Sequence, residues 1–289
     1  MKKLIAVLLL VVLALAGCAG AAPDTDKSKK AILVVSFGTS YADTREATID
    51  ATEAAFAKAY PDYDIKRAFT SQIIIDILEE RDGMEIDNMQ EALDRLKSEK
   101  YSEVVVQPTL VMNGAEYDEM IAAVHEVEES FDKIVVGKAL LTSHNDYEVV
   151  LEALKGQIGE LADDEAVIYM GHGTHHFADA AYGAMDVRFK NAGLKNVHMG
   201  TVEGYPLFED ITPHLEANGI NKVTLIPFML VAGDHASNDM AGDEDDAWKV
   251  MLKQQGYAVE THMQGLGELE AIQQLFIEHA EAAMHGEEH

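Results

Sequence analysis

The sequence predicts an α/β protein of two similar Rossmann-like parallel-sheet domains that face one another across a cleft. Apolar runs of strand length alternate with amphipathic helical stretches after residue 30, which is typical of a parallel sheet with right-handed crossovers. The alternation begins again near residue 165, and two pairs of motifs recur in the same order. That recurrence indicates an internal duplication.

The first thirty residues predict an export signal followed by a tether. Lys2 and Lys3 precede an apolar run at 4–16, which is too short to span a bilayer. The run ends in Leu-Ala-Gly-Cys at 15–18, which is similar to the bacterial lipobox, so we expect Cys18 to be lipidated. Residues 19–30 resemble a flexible tether. We expect a periplasmic protein held to the membrane by this lipid anchor only, with a soluble periplasmic form as the alternative.

The first domain is predicted to span residues 31–145 and the second residues 146–289. In the first, strands are expected at 31–36, 64–69, 103–107 and 133–138, and helices at 43–60, 71–80, 88–99 and 116–130. The second begins with a helix at 146–161 and continues with strand-like apolar runs at 166–171, 197–202 and 223–234. Composition marks no linker, so the boundary rests on this pattern alone.

The composition argues against one class of partner. Asp and Glu number 51 against 22 Lys and Arg, which gives a formal net charge of −29. Nucleic acid is therefore not expected, since its binding depends on neutralising phosphates. We interpret the acidic excess as a solvated surface. Cys18 is the single cysteine, so the chain forms no intramolecular disulfide.

Two motif pairs carry the duplication. Phe-Gly-Thr at 37–39 corresponds to His-Gly-Thr at 172–174, each after the first strand of its domain. The segments 107–116 and 226–235 also correspond, because in each a Pro precedes a Gly by six residues and the Gly precedes Glu116 or His235 by two. Glu116 and His235 are therefore expected to project into the cleft from opposite halves.

Three metal-ligand side chains each follow an apolar run in the second half. They are His172, Glu203 and His235. The carboxyl ends of neighbouring parallel strands converge on one crevice, where ligands bind. Two imidazoles and a carboxylate suit a borderline divalent ion such as Co²⁺, Fe²⁺ or Ni²⁺. The sequence therefore predicts metal chemistry at the cleft, with exchangeable water completing a weak ligand set.

Several longer motifs resemble those of the early-insertion cobalt chelatases. They are Val-Val-Ser-Phe-Gly-Thr-Ser at 34–40, Arg-Ala-Phe-Thr-Ser at 67–71, Ser-His-Asn-Asp-Tyr at 143–147, Met-Gly-His-Gly at 170–173 and Met-Leu-Val-Ala-Gly-Asp-His-Ala at 229–236. The resemblance covers nearly everything after Lys30. It implies the class II chelatase fold, related to ferrochelatase, with a tetrapyrrole in the cleft. It also implies insertion of Co²⁺ into sirohydrochlorin, in the anaerobic branch of cobalamin synthesis, with no ATP or other nucleotide.

The resemblance maps the family's metal site onto His172, Glu203 and His235, with Glu116 influencing the choice of metal. From their chemistry, we expect His172 to be the leading general base and a ligand, and His235 to share both roles. Glu203 is expected to hold the incoming ion. Glu116 is expected to act from across the cleft as a second proton acceptor or as a selectivity element.

Two groups of residues are predicted to bind the tetrapyrrole. Gly38, Thr39 and Ser40 follow the first strand and are expected to cradle one of its carboxylates. Arg45 and Arg67 are expected to bind others, so that the cleft is locally neutral or positive in an acidic protein. One further expectation concerns the histidines on helices, His279 among them, which are predicted to face solvent.

Two functions of different classes remain open. One is a periplasmic chelatase that prefers Co²⁺ and also accepts Fe²⁺. The other is a binding protein that carries a metal, haem or another tetrapyrrole on a chelatase fold. The two histidines with Glu203 favour the enzyme, because ring binding alone needs no bases at the ring centre, whereas the export signal favours the carrier. A substrate-binding lipoprotein of a metal transporter is a third interpretation, and a homo-oligomer is one option for the assembly.

Overall fold

The computed structural model describes residues 28–286 and confirms the predicted fold class. Its strands are β1 (Lys29–Ser36), β2 (Asp64–Phe69), β3 (Tyr101–Pro108), β4 (Lys133–Val136), β5 (Glu165–Gly171), β6 (Val197–Thr201), β7 (Lys222–Pro227) and β8 (Ala258–Thr261). They form two four-stranded parallel sheets, ordered β2-β1-β3-β4 and β6-β5-β7-β8. The same strand order in both sheets is what a duplicated unit requires.

Helices cover the connections between strands. They are α1 (Ala42–Arg45), α2 (Ala51–Ala59), α3 (Gln72–Asp82), α4 (Met89–Ser98), α5 (Ala115–Val127), α6 (His144–Ile158), α7 (Ala180–Asn191), α8 (Phe208–Ala217), α9 (Trp248–Gln254) and α10 (Glu270–His285). A π-helical turn, Glu46–Asp50, joins α1 to α2, and a second one, Ala236–Met240, comes after β7. Within residues 28–286, no helix is both long and apolar enough to span a membrane.

The predicted strands of the first half agree with β1 to β4 to within two residues. β1 begins at Lys29, so the last two residues of the predicted tether belong to the sheet. The predicted signal peptide and Cys18 lie outside the described residues. The apolar run at 223–234 is a strand only as far as Pro227, because the chain then leaves the sheet and enters the wall of the cleft.

Apolar packing joins the two halves. One buried cluster lies against the outer helices of the first sheet, and an equivalent cluster lies against those of the second. A larger cluster takes side chains from both sheets, including Val105 of β3 and Ile226 of β7. Burial of such side chains is the main favourable contribution to folding. The strand ends that form the cleft therefore stand on a shared core.

The last helix returns to the first half of the molecule. α10 packs against β3, β4 and α2, although the predicted boundary at residue 145 places it with the second domain. His279 of α10 is only 7% exposed, so the expectation that it faces solvent was wrong. Its Nε2 lies 3.2 Å from Oδ1 of Asp146, and its Nδ1 lies 3.2 Å from the carbonyl oxygen of Lys138. Burial opposes ionisation of Asp146, but hydrogen bonds from His279 and Ser143 outweigh it and lower the pKa of this carboxyl.

Candidate active site

A cavity of about 700 Å³ opens between the carboxyl ends of the two sheets. One wall comes from the loops after β1 and β3 and from α3, and the other from the loops after β5, β6 and β7. Parallel pairing brings these loops to the same edge of each sheet. The four residues predicted to carry the chemistry, His172, Glu203, His235 and Glu116, all lie in the walls.

The imidazoles of His172 and His235 are in edge-to-face contact. Their ring centroids are 4.5 Å apart and the ring planes meet at 87°. Nδ1 of His172 lies 2.8 Å from the carbonyl oxygen of Gly173, which can only accept a hydrogen bond. In the neutral ring, Nδ1 therefore carries the proton and donates it. The lone pair is left on Nε2, which can bind an ion or accept a proton.

A carboxylate holds His235 in the same tautomer. Nδ1 of His235 lies 2.5 Å from Oδ2 of Asp239, within the π-helical turn after β7. Turns of this kind occur frequently at functional sites. A carboxylate behind an imidazole fixes the tautomer and the orientation of the ring. Both rings therefore have Nε2 available as base or ligand.

Gly173 allows the turn that presents His172. Its φ is +83°, which side chains disfavour, and a Cβ there would lie 2.2 Å from the backbone nitrogen of Gly204. The amides of Val202 and Glu203 donate to the carbonyl oxygen of His172, at 3.1 and 2.9 Å. The missing side chain thus lets the loop after β6 close on the loop after β5. That closure brings Glu203 to the cavity.

Tyr182 of α7 supports the same turn, and sequence reasoning missed it. Its hydroxyl accepts a hydrogen bond from the amide of Gly173 at 3.4 Å. A Cβ on Gly171 would lie 2.3 Å from the tyrosine ring, so a glycine is needed where the two meet. Burial raises the pKa of Tyr182 to about 12, and the phenol stays neutral. Nothing in the sequence marks this residue, because the contact depends on how α7 packs.

The two predicted carboxylates differ in their settings. Glu203 is exposed and Glu116 is partly buried in the first turn of α5, where a negative charge is favourable. In the described part of the chain, no group of three or more His, Cys, Asp or Glu side chains is arranged to hold a metal ion. His172, Glu203 and His235 thus share the cavity walls without forming a closed coordination set.

The predicted carboxylate cradle also lies in the cavity wall. Gly38 has a φ of +101°, and a Cβ there would lie 2.6 Å from the ring of Phe69. Thr39 is buried, and its Oγ1 accepts a hydrogen bond from the amide of Tyr41 at 3.2 Å. Gly38, Thr39 and Ser40 therefore form a tight turn over β2 that faces the cavity.

Arg67 is not brought to the cavity, which corrects its prediction as a substrate-binding residue. Its Nε and Nη2 donate to the two carboxylate oxygens of Glu53, at 2.7 and 2.6 Å, and Nη2 also contacts Asp50. These acids belong to the helical segment that precedes β2. With two carboxylates already bound, the guanidinium serves to join β2 to that segment.

Arg45 lies behind the cradle, outside the walls of the main cavity. Its Nη1 donates to the carbonyl oxygen of Thr39 at 3.3 Å. It lines a second, shallower cavity, whose wall shares Ser40 and Tyr41 with the main one. Within residues 28–286, no Lys or Arg lines the main cavity. The predicted positive character of the cleft is thus absent from its own walls.

An apolar surface covers the part of the wall contributed by α3. Ile73 and Ile77 lie one helical turn apart, and with Phe37 they are exposed within the cavity although they are large and apolar. Ile73 is 72% exposed. Exposed apolar patches bounded by polar groups commonly mark binding sites.

Polar contacts also cross the cleft. The hydroxyl of Tyr41 donates to Oδ1 of Asp234 at 3.2 Å, and Nε2 of His176 lies 3.4 Å from Oδ2 of Asp118. Each contact joins a residue of the first half to one of the second. Sequence reasoning found neither, because the partners are far apart in the chain.

Solved structures of other proteins share this fold. SirB from Bacillus subtilis, determined with Fe³⁺, has a TM-score of 0.61 at 16% identity, over 90% of this chain and 97% of that one. CbiX, described as the terminal enzyme for biosynthesis of sirohaem in denitrifying bacteria, has a TM-score of 0.50 at 19% identity, over 88% and 99%. At these identities the likeness supports the fold alone.

Curated relatives are much closer in sequence. The chain is 42% identical over 256 residues to a sirohydrochlorin cobaltochelatase of Salmonella typhimurium, covering 89% of this chain and 97% of that protein. It is 32% identical over 260 residues to the sirohydrochlorin cobaltochelatase CbiKC of Nitratidesulfovibrio vulgaris, covering 89% and 91%. The profile of one family, described as cobalt chelatase (CbiK), matches residues 30–285. This chain belongs to the cobalt chelatase (CbiK) family.

Proposed function

We propose that the protein is a sirohydrochlorin cobaltochelatase, which inserts Co²⁺ into the tetrapyrrole. The observation that carries the proposal is the pair of imidazoles in the cavity, with centroids 4.5 Å apart and with Nδ1 of each ring bonded to an acceptor. Both curated relatives, which match most of the chain, bear this activity in their names. Co²⁺ is a substrate here and leaves with the ring.

Insertion releases two pyrrole N–H protons, and we propose that His172 and His235 accept them. A neutral imidazole is a competent base near neutral pH. Two imidazolium rings 4.5 Å apart would repel one another by about 4 kcal/mol at an effective dielectric constant of about 20. The protons are therefore taken one at a time, each leaving before the next arrives.

We propose that the incoming ion binds to an open set of ligands, which residues 28–286 do not assemble before it arrives. Glu203 offers a carboxylate, and Nε2 of His172 and His235 offer nitrogen. Such a set suits Co²⁺ and does not by itself exclude Fe²⁺, so we propose that both are inserted. A closed tetrahedral site would retain the metal. Glu116 faces the site from the other half and tunes the choice of ion or takes up a proton.

The apolar part of the cavity wall offers a contact surface for the tetrapyrrole ring. A tetrapyrrole is flat and largely apolar at its centre, and Ile73, Ile77 and Phe37 give it a surface beside the imidazoles. The cavity volume lies within the range of sites that bury a large organic ligand. Binding and deprotonation need no coupled reaction, and we propose that no nucleotide takes part.

The test uses the chain from Ala19 onward, mixed anaerobically with sirohydrochlorin and Co²⁺ without nucleotide, while the visible spectrum is followed. Conversion to the cobalt complex much faster than in protein-free solution is expected. Tight binding of the ring without faster cobalt insertion would contradict the proposal and indicate a carrier instead. A parallel reaction with Fe²⁺ tests the second metal.

We further propose that the protein works in the periplasm, anchored through Cys18. The support is the charged and apolar start of the chain, which ends in a lipobox-like sequence. Fractionation of cells should find the wild-type protein with membranes and the Cys18→Ser protein elsewhere. A Cys18→Ser protein that stayed with the membrane fraction would contradict anchoring by lipid.

A further inference from the structure

We infer that the second cavity binds a carboxylate arm of the tetrapyrrole through Arg45 and Arg81, an inference that rests on the proposed function. The main cavity lacks a cation for such a group. Its described walls include Glu116, Glu203 and Asp234 but no Lys or Arg. A ring with several carboxylates would be repelled there unless its arms reached positive charge close by.

Arg45 has donors available for a ligand. It is 7% exposed, and Nη1 is the nitrogen that donates to Thr39. Among residues 28–286, its other guanidinium nitrogens have no hydrogen-bond partner. None of these nitrogens is among the buried side-chain atoms that lack a partner in the described part of the chain, so they keep access to the second cavity. An anion in the second cavity could therefore accept hydrogen bonds from them.

Arg81 gives the second cavity a net positive charge. Its Nη2 donates to the carbonyl oxygen of Ser40 at 2.5 Å, and with Nε it forks onto Asp82 at 2.6 and 2.9 Å. A hydrogen bond from Arg81 and, less strongly, the charge of Arg45 lower the pKa of Asp82. One ionised carboxylate therefore faces two guanidinium groups, and one positive charge is left over.

The second cavity lies within reach of a ring in the main one. Ser40 and Tyr41 line both cavities and form the partition between them. The hydroxyl of Tyr41 bonds to Asp234, which is adjacent to His235 in the chain. A ring placed at the two imidazoles can thus extend a flexible carboxylate arm over Ser40 and Tyr41. Guanidinium groups bind carboxylates through paired, charge-assisted hydrogen bonds, which fix orientation as well as add affinity.

The test measures the Kd of sirohydrochlorin anaerobically without metal, so that no insertion occurs. Arg81→Gln should weaken binding about tenfold, the loss of a charge-assisted hydrogen bond. Asp82→Asn should tighten it, because a competing carboxylate is removed. Arg95→Gln is the matched control, since Arg95 also forks onto a carboxylate, that of Asp87, but lines neither cavity. The control should bind like the wild type.

A second arm identifies the source of the carboxylate. On the same ring with its carboxylates converted to amides, Arg81→Gln and wild-type protein should bind equally. Wild-type affinity of Arg81→Gln for sirohydrochlorin, or an equal loss in Arg95→Gln, would overturn the inference. Failure of the proposed function looks different, because ring binding would still depend on Arg81 while cobalt insertion was absent.

Discussion

The two halves share one strand order but contribute different chemistry to the cavity. β1 and β5 occupy the same position in their sheets, and they are followed by Phe37 and His172 respectively. The connection after β3 leads to Glu116, and the one after β7 leads to His235. The first half therefore supplies apolar surface and a carboxylate, and the second supplies both imidazoles.

The turns that carry these residues have kept a common geometry. Gly38 and Gly173 both take a positive φ, +101° and +83°, and a Cβ on either would meet a neighbour closer than 3.0 Å. The scaffold fixes the turn in each half through close approach at the glycine. The residue before that glycine then decides whether the turn presents an aromatic surface or a base.

The largest expected effect comes from removing an imidazole of the second half, which we propose acts as a general base. His172→Ala should lower the rate of cobalt insertion by about 10³-fold, within the range for loss of a general base. Binding of sirohydrochlorin should change little, because the apolar wall is untouched. The measurement is single-turnover insertion at a saturating ring concentration. His144→Ala, at an exposed helix start, is the control and should react like the wild type.

A second expected effect separates the halves by their stability in acid. Burial, with the charges of Lys190 and His214, lowers the pKa of His198 in β6 to about 3, whereas β2, the equivalent strand, has no histidine. Below pH 6.5, His198 is protonated in the unfolded chain but stays neutral in the folded state. Lowering the pH from 7 to 5 should therefore reduce the free energy of unfolding by about 2 kcal/mol through His198 alone.

Urea unfolding at the two pH values checks this sign and size. Between pH 7 and pH 5, the free energy of unfolding of His198→Gln should fall by about 2 kcal/mol less than that of the wild type, whatever the stability of the variant at pH 7. His125→Gln, on the exposed face of α5, should keep the wild-type pH dependence. Equal slopes for the wild type and His198→Gln would mean that His198 is not kept neutral by burial.

A smaller effect concerns the orientation of the second imidazole. Asp239→Ala should slow insertion about tenfold, because partners behind an imidazole typically matter at that scale. Asp239→Asn, which keeps an acceptor for Nδ1, should lose less. Asp243→Ala removes an exposed carboxylate nearby and should have no effect. An Asp239→Ala enzyme as fast as the wild type would show that His235 needs no orienting partner.

The central strands could be predicted from sequence, whereas one exposed edge strand, β8, could not. β1 and β3 lie in the middle of the first sheet, where apolar runs predicted them, because both faces of such strands are covered. β8 was missed because three of its four residues are exposed, and Ala-Val-Glu-Thr carries no continuous apolar run. The extra length predicted for β7 arose because apolar residues also line the cavity beyond Pro227.

In the site, residues at strand ends were predictable, whereas contacts between distant segments were not. His172 and His235 were identified from strand ends, but Arg67 was misplaced because its partners Glu53 and Asp50 become neighbours only through packing. Arg81, which lines the second cavity, was missed because its contact with Ser40 arises only through packing. Asp239 could have been found, because it lies four residues after His235 in a helical segment, a spacing that places side chains together.

The most direct test exploits the correspondence between His235 and Glu116. Each is replaced by Gln, and single-turnover cobalt insertion is measured anaerobically at saturating sirohydrochlorin. If the second half supplies the bases, His235→Gln should be slower than the wild type by about 10²-fold or more, and Glu116→Gln by only a few-fold. An equal loss in the two variants, or a His235→Gln enzyme near the wild-type rate, would contradict this division of roles.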